Sequence, residues 1–325
     1  MARNPVRTLV VAEAVAGTSL AAYLATMLPE AQRESIPELL ARGGVWAGKY
    51  RQLDPAYPLS ARDVLRICHP PTGVYDTPVL TVEMVLADEA RWLVVNKPGG
   101  WYSQATPWDT TGNLVGAVQT YLQPRQRGAG TSFLHEVNRL DRETSGIVLF
   151  ARQKALAGPL QAAWSGGGVD KRYAAVVRGH WAEPVLIDAP LASAGSARFQ
   201  VDPAGKPAQT QFRPVLHGEG WTLVEAHPLT GRTHQIRVHA AHAGYPLLGD
   251  ARYGGGKVAS SRIPGDFFLH AGRLSVQVRD ETVTWVAPLP AAWRAFLATV
   301  PDGETAWAAL GWGAGLAPLS GSATG

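Results

Sequence analysis

An α+β fold is what this sequence predicts, and three features carry the expectation. Helical periodicity stands at residues 17–28, 114–122 and 154–164. Short apolar runs rich in branched residues, at 92–95 and 146–151, read as buried strands. Between 184 and 226, apolar segments alternate with Gly, Pro and Asp punctuation, the pattern of antiparallel strands joined by turns. A length of 325 residues suits a small domain followed by a larger one, and 46% apolar against 17% charged residues permits a sizeable core.

A formal net charge of +4 allows a nucleic-acid partner without requiring one. Cys68 is the single cysteine, which excludes an internal disulfide framework and a cysteine-rich zinc site and points to cytoplasmic residence. Glu13 interrupts the apolar stretch near the start, which argues against an export signal. With no apolar run of 18 residues, no membrane-spanning helix is expected, and a monomer is the simplest state.

In chain order, Thr18 or Ser19 can cap the first helix, on which Leu20, Tyr23, Leu24, Met27 and Leu28 share a face. A second helix starts near Ser35, tolerates Pro37 in its first turn and stops at Gly43-Gly44. Short strands follow at 45–50 and 64–67. Two helices and a small hairpin resemble the S4 RNA-binding fold in degenerate form, so residues 1–70 are expected to be an S4-like RNA-binding or cap domain. Residues 71–89 then read as a linker around His69-Pro70-Pro71-Thr72-Gly73, 90–300 as the large domain, and 301–325 as a loose tail. Gln123 to Gly130 reads as a basic, glycine-containing loop.

The stretch Arg139-Leu140-Asp141-Arg142-Glu143-Thr144-Ser145-Gly146 is a charge-dense turn mounted on the 146–151 strand. Asp141 is placed to accept hydrogen bonds from the Thr144 or Ser145 amides. Taken alone it reads as an ordinary turn residue. Downstream, Lys171-Arg172-Tyr173 opens an apolar strand. Thr230-Gly231-Arg232-Thr233-His234-Gln235-Ile236-Arg237 then leads into a helix that Thr233 can cap and Gly244 can end. Five histidines between His227 and His270 suggest a metal, but no metal-ligand motif accompanies them, and His239 and His242 equally well pack or meet phosphate. No phosphate loop, dinucleotide fingerprint or Gly-x-Ser-x-Gly elbow is present.

The Arg-Leu-Asp-x-x-Thr-Ser-Gly stretch resembles the signature of the RluA-type pseudouridine synthases. The resemblance extends to Asn96-Lys97-Pro98-Gly99, to the Lys-x-Tyr at 171–173, to Thr-Gly-Arg-x-His-Gln-Ile-Arg, to Leu248-Gly249-Asp250 through Tyr253-Gly254, and to Leu269-His270-Ala271. It covers roughly residues 90 to 290. The chain departs at Asn138, where members often have His. The resemblance implies the pseudouridine synthase fold, a mixed, mainly antiparallel sheet split by a cleft. It implies an isomerase acting on uridines of ribosomal or transfer RNA, with no cofactor and no metal. Asp141 would be the catalytic carboxylate, attacking C1′ or taking a proton from C2′. Arg237 would pair with Asp141, Tyr173 would stack on the flipped uracil, and Arg139 would be among the basic groups gripping the substrate.

Two other classes remain. An RNA-binding assembly factor that has lost its activity would not need Asp141, Tyr173 and Arg237 together. A carbohydrate hydrolase would need a second carboxylate beside Asp141, and Glu143 two residues on is poorly aimed for that.

Overall fold

The computed structural model describes residues 6–123, 133–195, 197–256, 267–303 and 305–312. They fall into two compact units, one within residues 1–81 and 101–130, the other within 82–100 and 131–325. The division is therefore not a single cut near residue 70. The chain leaves the first unit, returns to it after residue 100 and leaves again.

In the first unit, β1 (Val6–Val10), β2 (Val45–Ala47), β3 (Tyr50–Gln52) and β4 (Val64–Cys68) form an antiparallel sheet in the order β1-β4-β2-β3. Helices α1 (Leu20–Met27), α2 (Glu30–Arg33), α3 (Ile36–Arg42) and α4 (Leu114–Leu122) accompany it. The Ser19 hydroxyl accepts the Ala22 N–H at 3.4 Å and starts α1. Pro37 sits in the first turn of α3, where its missing N–H costs nothing, and Gly43 ends that helix at a left-handed φ of 78°. Leu20, Leu24, Leu39, Leu65 and Ile67 share the core. Strand β1 had no sequence signal because only Leu9 of its five residues is buried, so no apolar alternation marks it.

The second unit opens with β5 (Val85–Asp88), which lies in what read as linker and pairs with β6 (Trp92–Lys97). Next come β7 (His135–Glu136), β8 (Ser145–Ala151), α5 (Lys154–Ser165), β9 (Val169–Arg178), β10 (Val185–Asp188), β11 (Leu191–Gly195) and β12 (Arg198–Val201). They are followed by β13 (Gln209–Gly218), β14 (Trp221–Pro228), α6 (Gln235–His242), β15 (Leu269–Val278), β16 (Glu281–Val286), α7 (Ala291–Leu297) and α8 (Ala306–Ala309). The main sheet runs β10-β13-β14-β9-β15-β8-β6-β5, with β16 beside β15 and β7 beside β8. Every pairing among these strands is antiparallel except β8 with β15, where Ser145 lies opposite His270 and Gly146 opposite Ala271. This is the mixed, mainly antiparallel sheet expected. The parallel seam is short, and the turn that carries Asp141 feeds directly into it.

All seven residues of β8 are buried. Gly146 is obligatory at the seam, for it holds φ 116° and a Cβ would be driven into the Ala271 carbonyl. Asn138, the departure from the family pattern, works as a strand extension: its amide donates to the Ile147 carbonyl at 3.1 Å and its oxygen accepts the Leu149 N–H at 2.9 Å. Helix α6 packs Ile236 and Ala240 onto Ala175, Val224 and Ala226. Leu223 and Phe268 pack with Trp293 and Leu297 of α7 and with Ala306, Leu310 and Trp312. Trp312 also donates its indole N–H to the Glu225 carboxylate. Ala306, Leu310 and Trp312 are thus held in the core, and a loose tail does not begin at 301. Gln123 to Gly130, apart from Gln123, and the segment after Trp312 lie outside the described residues. Among those described, no helix is long and apolar enough to cross a membrane.

Candidate active site

The turn from Asp141 to Thr144 closes through the Thr144 N–H, which donates to the main-chain oxygen of Asp141 at 3.2 Å. The expected bond from a local amide to the Asp141 carboxylate is therefore not what closes the turn. The main chain satisfies itself, and the side chain is released to face α6. A second support comes from β6. The Lys97 ammonium donates to the carbonyls of Pro98 at 3.0 Å and Arg142 at 3.1 Å, and the Gly100 N–H donates to the same Arg142 carbonyl at 2.8 Å. Lys97 is fully buried, and burial pushes its pKa down to about 7 against the charges of Glu143 and Asp141.

Arg237 comes from the first turn of a helix only eight residues long, so its own position needs fixing. Asp250 provides that. Arg237 Nε and Nη2 donate to the two Asp250 oxygens at 2.7 and 3.0 Å, with 4% and 1% of the two residues exposed. The third nitrogen, Nη1, donates to Asp141 Oδ2 at 3.1 Å. The guanidinium also lies over the Phe267 ring at 4.3 Å and the Tyr253 ring at 5.0 Å. Burial opposes the charge, but the Asp250 and Asp141 carboxylates outweigh it and raise the Arg237 pKa. The Asp141 side chain keeps 27% of its surface exposed, so it is gripped from one side and open on another.

Tyr173 reaches this place by register. It lies opposite Ala271, which lies opposite Gly146, so the three sit abreast on β9, β15 and β8. Burial, and then the Asp141 charge, push its hydroxyl well above the ordinary phenol range, which keeps it protonated. Arg139 is exposed on the approach to the turn. Of the four residues picked from sequence, the structure joins Asp141 to Arg237, sets Tyr173 within reach of the Asp141 charge and leaves Arg139 at the surface.

Helix α6 begins differently from expectation. Its N-cap is His234, in the left-handed region at φ 57°, and Thr233 makes no cap. The Gln235 side chain takes over. Its oxygen accepts the Arg232 N–H at 3.0 Å and the Thr230 hydroxyl at 2.7 Å, and its amide donates to Gln209 and Thr210. That arrangement turns the His234 ring toward Asp141 Oδ2, 3.7 Å away. His239 is a packing residue, bonded to Thr210 and the Ala189 carbonyl, and His270 is bonded to the Ser145 hydroxyl. Among the described residues no three His, Cys, Asp or Glu side chains gather as metal ligands.

Lys97, His234, Asp250 and Tyr253 were visible only as motif members, without roles. Asp250 and Tyr253 stand three apart on one turn, and His234 and Arg237 three apart at the start of α6, but nothing in that spacing shows that each pair meets the other.

A family model described as RNA pseudouridylate synthase matches residues 91–242. A ribosomal large subunit pseudouridine synthase C of Vibrio parahaemolyticus is 32% identical over 312 residues, 88% of this chain and 94% of that one. Its namesake in Escherichia coli is 34% identical over 255 residues, 74% and 77% of the two chains. Among solved structures, human RNA pseudouridylate synthase domain containing 1 shares 27% identity with a TM-score of 0.52, covering 66% of this chain and 87% of that one. By its motifs, its sheet and these relatives, the chain belongs to the RluA-type family of RNA pseudouridine synthases.

Proposed function

We propose that the chain converts uridines of large-subunit ribosomal RNA to pseudouridine, with Asp141 as the catalytic carboxylate. One observation carries this reading: a part-exposed carboxylate held on its Oδ2 by an arginine that is itself locked by a second, buried carboxylate. Such a group is rigid, and its Oδ1 stays open to a substrate. It suits work at the anomeric centre of a flipped nucleotide, where a carboxylate assists loss of the base from C1′. The freed uracil then rotates and rejoins through C5; the C5 proton leaves and N1, released from C1′, takes up a proton, so substrate and product have the same atoms. Tyr173 offers the flipped base a ring face, and Arg139 offers the backbone a charge. The names of the relatives support ribosomal RNA as the substrate class. The first unit, with its helices and four-stranded sheet, serves RNA affinity or site choice and supplies no reacting group.

The test is pseudouridine formation on a large-subunit ribosomal RNA transcript by wild type and Asp141→Asn under single-turnover conditions, with RNA binding measured separately. The variant binds and does not convert. An Asp141→Asn protein that converts uridine at near wild-type rate overturns the catalytic assignment. Turnover of transfer RNA but not ribosomal RNA by the wild type overturns the substrate class.

A further inference from the structure

We propose that His234, with its proton placed by Tyr253, is a positioning residue that holds Asp141 Oδ2 and leaves Oδ1 as the reactive oxygen. The proposal rests on the reading of Asp141 as the catalytic carboxylate.

The hydrogen-bond chain fixes the tautomer. The Phe199 N–H can only donate, and it points at the Tyr253 hydroxyl oxygen at 3.0 Å. The phenol proton is then directed at His234 Nδ1, 2.7 Å away. With Nδ1 accepting, a neutral imidazole carries its proton on Nε2, and the carboxylate oxygen that Nε2 faces at 3.7 Å, Asp141 Oδ2, favours that tautomer because it can only accept. Burial, the largest influence, pushes the His234 pKa down to about 4; Asp141 and Asp250 pull it up, and Arg237 and Arg252 push it further down. The ring is neutral at physiological pH, so what it presents to Asp141 from 3.7 Å, beyond direct hydrogen-bond length, is an N–H dipole and not a second cation.

Backbone geometry adds independent support. His234 is one of five described non-glycine residues with positive φ, and it holds that strained conformation at a helix start with no capping bond to repay it. The left-handed residue is what swings the imidazole off the helix and under Asp141. The Phe199 and Tyr253 rings meet the imidazole edge-on at 5.6 and 5.7 Å and fix its plane. Arg237 Nη1 and His234 Nε2 therefore converge on the same oxygen, Oδ2, of a side chain that keeps 27% of its surface exposed.

Single-turnover rate and RNA affinity are measured for His234→Leu, His234→Gln, Tyr253→Phe and the Tyr253→Phe/His234→Gln pair, with Asp141→Asn alongside. His234→Leu keeps volume but no donor, and its rate falls roughly 10- to 100-fold at unchanged RNA affinity. His234→Gln carries an amide N–H near the Nε2 position and recovers most of that loss. Tyr253→Phe slows the wild-type background by releasing the tautomer but has little effect in the Gln background, where there is no tautomer to set. Gln no better than Leu, or an equal Tyr253→Phe effect in both backgrounds, overturns the proposal. If Asp141→Asn is inactive while His234→Leu turns over at wild-type rate, this inference alone falls. If Asp141→Asn is active, the reading beneath it falls.

Discussion

Arg237 and Asp250 form a two-point ion pair that is buried at both ends. The pair fixes the fork of the guanidinium, so that only Nη1 is left to reach Asp141. Two charges out of water are tolerable because each satisfies the other, and removing one partner exposes the cost. Asp250→Ala is expected to lose about 3–5 kcal/mol of stability, measured by chemical denaturation, since it leaves a buried guanidinium facing a single carboxylate. Where the variant still folds, its rate on RNA falls along with it. A stable and fully active Asp250→Ala protein would remove Asp250 from the site.

Gly146 couples strand register to the catalytic turn. Its φ of 116° and the adjacent Ala271 carbonyl leave no room for a side chain at the parallel seam. Gly146→Ala must either strain the backbone or push β8 from β15, at about 1–3 kcal/mol or more. Ala271→Gly, which leaves the carbonyl where it is, does not rescue the variant. Thermal melting of the two variants and the double variant checks this; rescue by Ala271→Gly would mean that the clash lies elsewhere.

How legible the molecule was depends on where burial shows in the sequence. Strands β8 and β14, buried along nearly their whole length, announced themselves as apolar runs. Strand β1 did not, since exposed residues flank Leu9 on both sides. Asp141 and Arg237 were legible as a pair because the family motifs name both. The cap of α6 misled, because Thr233 has the right side chain and the competing groups, Gln209 and Thr210, are more than twenty residues away in the chain. The same holds for the His234–Tyr253–Phe199 chain: its three members come from three elements, and no local pattern could bring them together.

Lys97 should make stability depend on pH. Its folded pKa, pushed down to about 7, lies well below the value of about 10.4 for an unfolded lysine. Between these values the unfolded chain binds the proton and the folded chain does not. The penalty of burying Lys97 is therefore absent above the unfolded value and grows as pH falls toward 7. Lys97→Met removes the titration but also the bonds to Pro98 and Arg142. The stability of wild type relative to Lys97→Met is thus expected to rise from pH 7 to pH 10, measured as denaturation midpoints at several pH values. Parallel curves would show that Lys97 keeps its proton throughout.

Tyr173 separates ring from hydroxyl. Its ring packs against the core cluster that holds Ala175, Val224 and Ala226, and its hydroxyl is held protonated by burial and the Asp141 charge. A stacking role needs only the ring face, so Tyr173→Phe keeps RNA affinity, whereas Tyr173→Ala loses on the order of 1–3 kcal/mol of base contact. A proton-transfer role needs the hydroxyl. In that case Tyr173→Phe binds normally, breaks the bond from C1′ to the base, and stalls before the C5 proton leaves. Single-turnover product analysis distinguishes the two, because the stalled variant accumulates an RNA whose uridine is altered without being pseudouridine. Equal rates and affinities for wild type, Phe and Ala would take Tyr173 out of the site altogether.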